Sequence, residues 1–397
     1  MKRIGIYGGT FNPPHAGHIR AAQYALAALS LDKLLVIPSC ISPHKALPEN
    51  SPTPTQRLQM LQLCFQGGER IIVSDLELKR GGASYTYETV AQVKAEYPDA
   101  ELILFMGTDM FLTFLDWRNP DEILKNASLA VFYRGQRDET DMVSQQKQII
   151  ASKGGTVYLV DNPVTVISST DMRRMMRMQC AEEFLSPQVS QYIRQNGLYG
   201  TDTEWKNLPI EDLQQAVVSL LKPKRINHVL GCRDTAVKLA KRWGADETDA
   251  ARAALLHDIT KALDGPLQLT LCSAYGIMPS DFARENPKTI HALTGSLVAE
   301  KIFGENPAVV SAIRSHTTGK AHMNLLEKII YVADYMEPNR NFTGVEQLRY
   351  LAETDIDAAL KLGLEMTLKM LREQGKTISQ ESLEAYAWIE NIVSVKG

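Results

Sequence analysis

The sequence has no CxxC pair, and its five cysteines (Cys40, Cys64, Cys180, Cys232 and Cys272) are odd in number and widely spaced. They read as reduced thiols in a cytoplasmic protein rather than as a disulfide framework. No apolar run approaches the ~18 residues of a membrane span, so no membrane partner is expected. Excess charge of one sign is also missing: Lys+Arg 43 stands against Asp+Glu 46, a net charge of -3. A general nucleic-acid binder would be basic, so nucleic acid is not expected as a partner and any recognition of polyphosphate must be local. With 44% hydrophobic and 22% charged residues, the composition is that of a globular protein and not of a disordered, collagen-like or coiled-coil chain. The start, MKRIGIYGG, is basic but runs directly into glycines, and reads as a first strand rather than a signal peptide. At about 150 residues per domain, 397 residues predict two or three domains.

The first half alternates short apolar runs with helical stretches. Candidate strands are Arg3–Tyr7, Leu34–Ile37, Arg70–Val73, Leu102–Met106, Ser128–Tyr133 and Thr156–Val160, near-continuous apolar runs of the kind found in strands buried on both faces. Helical segments such as Ile19–Leu29 and Tyr87–Tyr97 separate them, which predicts a Rossmann-like α/β domain, doubly wound around a parallel sheet, over residues 1–200. The long proline-rich loop Pro38–Thr55 is of a length that is more often functional than incidental. A linker is placed at 201–209, within the turn-rich stretch Gly197–Pro209. From Ile210 to the last residue the period is helical, with stops at Pro223, Gly244, Gly276, Gly304 with Pro307, and Gly319, and an all-helical domain is expected over 210–397.

Two motifs in the first half carry chemistry. Gly8-Gly9-Thr10-Phe11-Asn12-Pro13-Pro14-His15-Ala16-Gly17-His18 follows a predicted strand and precedes a helix starting at about Gly17. Small residues let the backbone approach a phosphate, the helix start offers free N–H groups, and two imidazoles can meet negative charge on an α-phosphate and departing pyrophosphate. The same residues would equally make a glycine-rich turn with two surface histidines. Far along the chain, Val166-Ile167-Ser168-Ser169-Thr170-Asp171-Met172-Arg173 reads as a capped helix start whose hydroxyls and guanidinium suit β- and γ-phosphates, or as an ordinary capped helix. The following Met-Arg run reads as an amphipathic face.

Together these motifs resemble the nucleotidyltransferase superfamily with the (H/T)xGH signature, and most closely the bacterial nicotinate-nucleotide adenylyltransferases. Ser42–Lys45 (SPHK), Ser84–Thr86 (SYT), Gly107–Met110 (GTDM), Trp117 and Ile167–Arg173 follow in the family's order. The resemblance implies adenylyl transfer from ATP, with Mg²⁺, to nicotinate mononucleotide, giving deamido-NAD and pyrophosphate. Gly8, Gly9, Phe11, His15, His18, Ile167, Ser168, Ser169 and Arg173 would hold ATP, and His44, Lys45, Asp109, Thr86 and Trp117 the mononucleotide. His15, His18, Asp109 and Arg173 would serve the transfer itself. An anionic phosphate nucleophile needs alignment and charge neutralisation rather than a protein nucleophile, so no Ser–His–Asp set is required. Trp117 has packing as its alternative role, and Arg134 is read as a phosphate contact or a solvated surface residue.

The second half holds His228, the pair His257-Asp258, His291, His316 and Asp334, leaving His322 as a surface histidine. The His-Asp pair lies between Leu255-Leu256 and Ile259, and is expected on one face of a buried helix, where imidazole and carboxylate need a partner such as a metal. Six N/O ligands are too many for one open site and fit two metals bridged by a carboxylate. The order H…HD…H…H…D, with RINHVLG, ALLHDITK, AIRSHTTGK and YVADYMEPNR, looks like the HD-domain phosphohydrolases, and is similar to the bacterial enzymes that split diadenosine tetraphosphate symmetrically into two ADP. That resemblance implies two metal ions, iron or alternatively manganese. His228, His257, Asp258 and Asp334 would hold one, and Asp258 would bridge to a second completed by His291 and His316. Lys261 and Arg340 would offset polyphosphate charge or form a solvated helix face, with Asp258 and Lys261 expected to act in the reaction.

The sequence leaves other readings open. The helical domain could sense a nucleotide without turning it over, or hydrolyse a cyclic dinucleotide or a nucleoside monophosphate, and a homo-oligomer is open. An aminoacyl-tRNA ligase is excluded, because Ile167–Arg173 stands where a lysine-rich signature would be.

Overall fold

The computed structural model describes residues 1–43, 47–48, 50–133, 137–161 and 167–396. These divide into two compact units, Met1–Arg177 with Ala181–Asp202, and Met178–Cys180 with Thr203–Gly397.

All six predicted strands of the first unit form, with ends within two residues of expectation: β1 (Arg3–Gly9), β2 (Lys33–Pro38), β3 (Ile71–Val73), β4 (Glu101–Gly107), β5 (Ala127–Tyr133) and β6 (Val157–Asp161). They make one parallel sheet in the order β3-β2-β1-β4-β5-β6. Alternate residues of each strand feed two cores. Ile4, Ile6, Leu102, Leu104, Leu129 and Val131 pack on one face, and Leu34, Val36, Ile103, Phe105 and Ala130 on the other. Burial on both faces is what makes the runs continuously apolar. Gly5 lies where strands and side chains crowd most, since a Cβ there would sit 2.6 Å from Leu34 Cδ1. The strand order reverses between β1 and β4. The carboxyl ends of these two strands therefore flank the crevice where open α/β sheets take ligands.

Local details depart from expectation for identifiable reasons. Gly8 and Gly9 are not a turn: β1 runs on through them, paired with Ile37 and Pro38 of an equally long β2. The following helix is Ala16–Ala28, because His15 caps it. The proline-rich loop ends at Thr53 rather than Thr55. Thr53 Oγ1 accepts from Gln56 N at 3.2 Å while Thr53 N donates to Gln56 Oε1 at 2.9 Å, so a helix begins at Pro54.

The second unit is built from helices. Ile210–Leu220 buries Leu213, Val217 and Leu220. Pro223 both follows its end and opens the next helix, Pro223–Trp243, where a missing N–H costs nothing. That helix stops at Gly244 in the left-handed region, φ 77. Among the described residues no helix is long and apolar enough to cross a membrane.

Two candidate active sites

In the first unit the phosphate-loop candidates collect at the carboxyl end of β1. His15 precedes the first helix and is 3% exposed. Its backbone N donates to His18 Nδ1 at 3.2 Å, and the two rings lie 3.7 Å apart between centroids. Because His18 Nδ1 accepts, its proton belongs on Nε2, which is left as a donor. Burial lowers the His15 pKa from 6.5 to about 4. Burial, and then the neighbouring His15, hold His18 well below the usual histidine range. Both rings are therefore neutral before a ligand arrives, and His15 Nδ1 is buried without a hydrogen-bond partner.

The structure brings the two distant motifs together. Arg173, in the helix Ser169–Arg177, donates from Nη1 to the Asn12 carbonyl at 2.7 Å and from Nη2 to Thr170 Oγ1 at 3.1 Å. Ser168 caps that helix, accepting from Asp171 N at 3.0 Å, and Ser169 is its first residue. Met172, Met175 and Met176 form the expected buried face. Phe11 and Ile167 are buried, with Phe11 edge-on to Tyr7 and His18. Asp109 is exposed at the carboxyl end of β4, in the first turn of Thr108–Leu112. Thr86 opens the helix Thr86–Glu96. Trp117 is partly buried against the core beside Phe114, at 5.5 Å between ring centroids. His44, Lys45 and Arg134 lie outside the described residues.

Arg57 and Tyr199 have no motif around them and were not expected at this site. Arg57 is fully buried and donates to the carbonyls of Thr10 and Ser39, each at 2.7 Å. Tyr199 donates to Asn12 Oδ1 at 2.7 Å. Arg57 clamps the backbone that runs from β1 into the histidines, and Tyr199 holds the Asn12 side chain on the same segment.

In the second unit the six candidate ligands converge. His228 comes from Pro223–Trp243, His291 from Pro287–Lys301 and Asp334 from Leu325–Met336, while His316 sits at the end of Pro307–Ser315. The His-Asp pair is not on a helix face as expected. His257 ends the helix Glu247–Leu256, and Asp258 follows in a turn, which frees its carboxylate to point at four rings. Asp258 Oδ2 lies 3.6 Å from His228 Nε2 and 3.5 Å from His257 Nε2. Its Oδ1 lies 3.3 Å from His291 Nε2 and 3.9 Å from His316 Nε2. Asp334 Oδ1 is 3.1 Å from His228 Nε2 and 3.9 Å from His257 Nε2.

Tautomers decide what this arrangement can hold. Nδ1 of His257, His291 and His316 each lies 2.7 Å from a backbone carbonyl, of Ala254, Lys288 and Ile313 respectively. A carbonyl only accepts, so each Nδ1 carries the proton and each Nε2 presents a lone pair. Those lone pairs face one another, with His291 Nε2 3.1 Å from His316 Nε2 and His257 Nε2 3.4 Å from His228 Nε2. Burial keeps the three rings uncharged: His316 is lowered to about 4, His291 well below its usual range, and His257 below it. Burial opposes ionisation of Asp258 and Asp334. Lys261 beside Asp258 and Arg340 beside Asp334 nevertheless help hold both carboxyl groups below the ordinary range. Both Asp258 oxygens are buried and are reached only by ion pairs, from Lys261 and Arg225, without a hydrogen bond of good geometry. Opposed lone pairs around two buried carboxylates fit divalent cations, which would satisfy all of them at once.

Lys261 and Arg340 are not a solvated helix face, because each is drawn to a candidate ligand. Lys261 Nζ is 3.0 Å from Asp258 Oδ1, and Arg340 Nη2 is 2.7 Å from Asp334 Oδ1. Arg225 was not expected, yet its Nη2 is 2.6 Å from Asp258 Oδ2. Its signal was its position three residues before His228, one helical turn away. His322 is exposed and lies against Trp388, at 5.6 Å between ring centroids. A cavity of about 1120 Å³ opens onto His291, His316 and Asp334, and its wall includes Tyr331, Tyr335, Phe342, Lys288 and Lys369.

The cytidylyltransferase-like family model matches residues 6–175, and the HD-domain model residues 225–339. The chain is 35% identical over 198 residues to a "Probable nicotinate-nucleotide adenylyltransferase" of Dictyoglomus thermophilum, covering 50% of this chain and 99% of that protein. It is 36% identical over 180 residues to the "Bis(5'-nucleosyl)-tetraphosphatase, symmetrical" of Bacillus subtilis, covering 45% of this chain and 96% of that protein. A solved structure from Clostridium acetobutylicum, described as a "predicted HD superfamily hydrolase involved in NAD metabolism", aligns at a TM-score of 0.45 with 36% identity, over 46% of this chain and 98% of that one. The chain thus belongs to the cytidylyltransferase-like family in its first half and to the HD-domain family in its second.

Proposed function

We propose that the first unit transfers the adenylyl group of ATP to nicotinate mononucleotide, and that the second hydrolyses diadenosine tetraphosphate to two ADP at a pair of divalent cations. The observation that carries the second assignment is the convergence of four imidazoles on the buried Asp258 carboxylate, with Asp334 beside them. For the first, support comes from the Arg173 contact that brings the distant motif to the loop between β1 and the histidines, and from relatives whose names carry that activity.

In the first unit ATP would enter as its Mg²⁺ chelate. His18 would donate Nε2–H to a phosphate oxygen, and the N-terminus of the helix Ala16–Ala28 adds free N–H groups. Arg173 would neutralise the departing pyrophosphate while its contact with Asn12 fixes the loop's reach. Asp109, Thr86 and Trp117, with His44 and Lys45, are assigned to the mononucleotide. Its phosphate is already an anion, so alignment with the α-phosphorus supplies most of the acceleration.

In the second unit His228, His257, Asp334 and Asp258 Oδ2 would hold one cation, and His291, His316 and Asp258 Oδ1 the other. Iron or manganese ions bound there would supply Lewis-acid activation of the phosphoryl group and of a water nucleophile. Lys261, Arg340 and Arg225 would then turn from the carboxylates they now touch toward the polyphosphate. The cavity of about 1120 Å³ has room for an extended ligand, and its aromatic wall and lysines suit one with bases as well as phosphates. That favours a dinucleoside polyphosphate over a nucleoside monophosphate. Both reactions are assigned to the cytoplasm, where the cysteines would stay reduced.

Chromatography of products tests both assignments on the full chain. ATP with nicotinate mononucleotide should give deamido-NAD and pyrophosphate, and diadenosine tetraphosphate with Fe²⁺ or Mn²⁺ should give ADP alone. A mixture of ATP and AMP, or no turnover with either metal, would overturn the hydrolase assignment.

A further inference from the structure

Three of the four clustered histidines rest Nδ1 on a carbonyl of their own chain three residues back. His228 does not. Its Nδ1 lies 3.0 Å from Oε1 of Glu337, a carboxylate 1% exposed. The other oxygen, Oε2, accepts from Asn339 N at 2.7 Å and Asn339 Nδ2 at 2.8 Å. Asn339 Nδ2 also donates to the Asn227 carbonyl at 3.2 Å, beside His228 itself. Arg340 Nε stands 4.0 Å from Oε1. The approach is built into the helix that carries His228. One turn on is Gly231, where a Cβ would lie 2.6 Å from Glu337 Oε2 and 3.1 Å from Asn339 Nδ2, so a larger residue would push the carboxylate off.

A buried carboxylate on an imidazole N–H does what a carbonyl does and more. It fixes the tautomer and the ring angle, and its full charge raises the basicity of the opposite nitrogen. We propose that Glu337 is a positioning residue that holds the His228 Nε2 lone pair toward the cation shared with His257 and Asp334, and thereby makes this cation the more tightly bound of the two. The proposal rests on the two-cation reading above. It adds an inequality that the six candidate ligands do not contain: one half of the site has a histidine held by a charged partner reached across 109 residues of sequence, whereas both histidines of the other half rest Nδ1 on backbone carbonyls.

The test is Mn²⁺ binding to the chelator-stripped full chain, followed by the electron paramagnetic resonance of free Mn²⁺. The wild-type chain should take two ions of unequal affinity. Glu337→Gln, which can still accept from Nδ1–H but has lost the charge, should weaken the tighter ion about 10-fold, and Glu337→Ala about 100-fold, with the second ion unchanged within about 2-fold. This graded loss at one ion, partly rescued by the amide, separates positioning from general damage, which would weaken both ions alike. Should Glu337→Ala be recovered unfolded by circular dichroism, Glu337→Gln and Asn339→Ala decide, each expected to weaken the tighter ion alone. Two ions bound by the wild type with no change in the variants, or with equal losses at both, overturns the role of Glu337 and leaves the two-cation reading standing. No Mn²⁺ bound by the wild type overturns that reading itself.

Discussion

In the first unit His18 accepts a backbone hydrogen bond at Nδ1, at 3.2 Å, whereas in the second unit His257, His291 and His316 turn Nδ1 to carbonyls at 2.7 Å. The same side chain, neutral in both places, half-buried in the first and buried in the second, is thereby given opposite outward faces. His18 presents a proton, suited to phosphate oxygen, and the other three present lone pairs, suited to cations. The surroundings match. The nearest support of the first pair is a clamp of backbone carbonyls and side-chain donors around Thr10 and Asn12, while the second set encloses two carboxylates. Burial sets the charge state in both units, and the partner on Nδ1 decides what the ring can bind.

The contrast can be broken one unit at a time. The largest effect is expected from Asp258→Ala, which removes the carboxylate facing both halves of the histidine cluster. Hydrolysis of diadenosine tetraphosphate should fall by roughly 10⁴-fold with loss of bound metal, and adenylyl transfer should stay within about 2-fold. Equal loss of both activities would mean that the sites are not independent. Next is His18→Ala, expected to lower adenylyl transfer by about 10²–10³-fold through loss of a donor to developing charge, with hydrolysis unchanged. A drop in hydrolysis in step with it would contradict the contrast.

Arg57→Met sharpens the account of the first site. It strips the Thr10 and Ser39 carbonyls of a buried donor, and chemical denaturation should register a loss of about 2 kcal/mol in the first unit. A change below about 0.5 kcal/mol would mean the clamp is idle.

The smallest effect is that of pH on the same unit. The folded pKa of His15 is about 4 against an ordinary 6.5. As pH falls through the higher value the unfolded chain takes a proton that the folded chain refuses. The stability contribution is therefore full above the ordinary value and is lost as pH falls toward the folded one. Between about pH 7.5 and about pH 5.5 this amounts to about 1 kcal/mol, and a His15→Gln variant should lose less over the same interval in denaturation experiments. Equal losses would place the low pKa elsewhere.

The sheet was legible because burial on both faces writes itself as unbroken apolar runs, such as Leu102–Met106. The six residues that meet in the second unit were legible as types at a spacing, because each must bring a nitrogen or an oxygen. What could not be read were groups whose only signal is a partner far away in sequence. Arg57 lies in a helix with nothing to distinguish it from a surface arginine, and its targets are carbonyls, which every residue has. Glu337 lies inside the YVADYMEPNR motif, but nothing there names its partner until the helix carrying His228 and Gly231 is laid against it. The His-Asp pair was placed on a helix face because its neighbours are apolar. Helical periodicity does not reveal that the helix stops at Leu256 and leaves Asp258 in a turn.

The opposed tautomers can be observed directly. A long-range ¹H–¹⁵N correlation spectrum of the metal-free, histidine-labelled full chain at neutral pH, assigned with single His→Gln variants, should show His257, His291 and His316 protonated at Nδ1 and His18 protonated at Nε2. Nε2-protonated rings or imidazolium at the three second-unit positions would contradict the account.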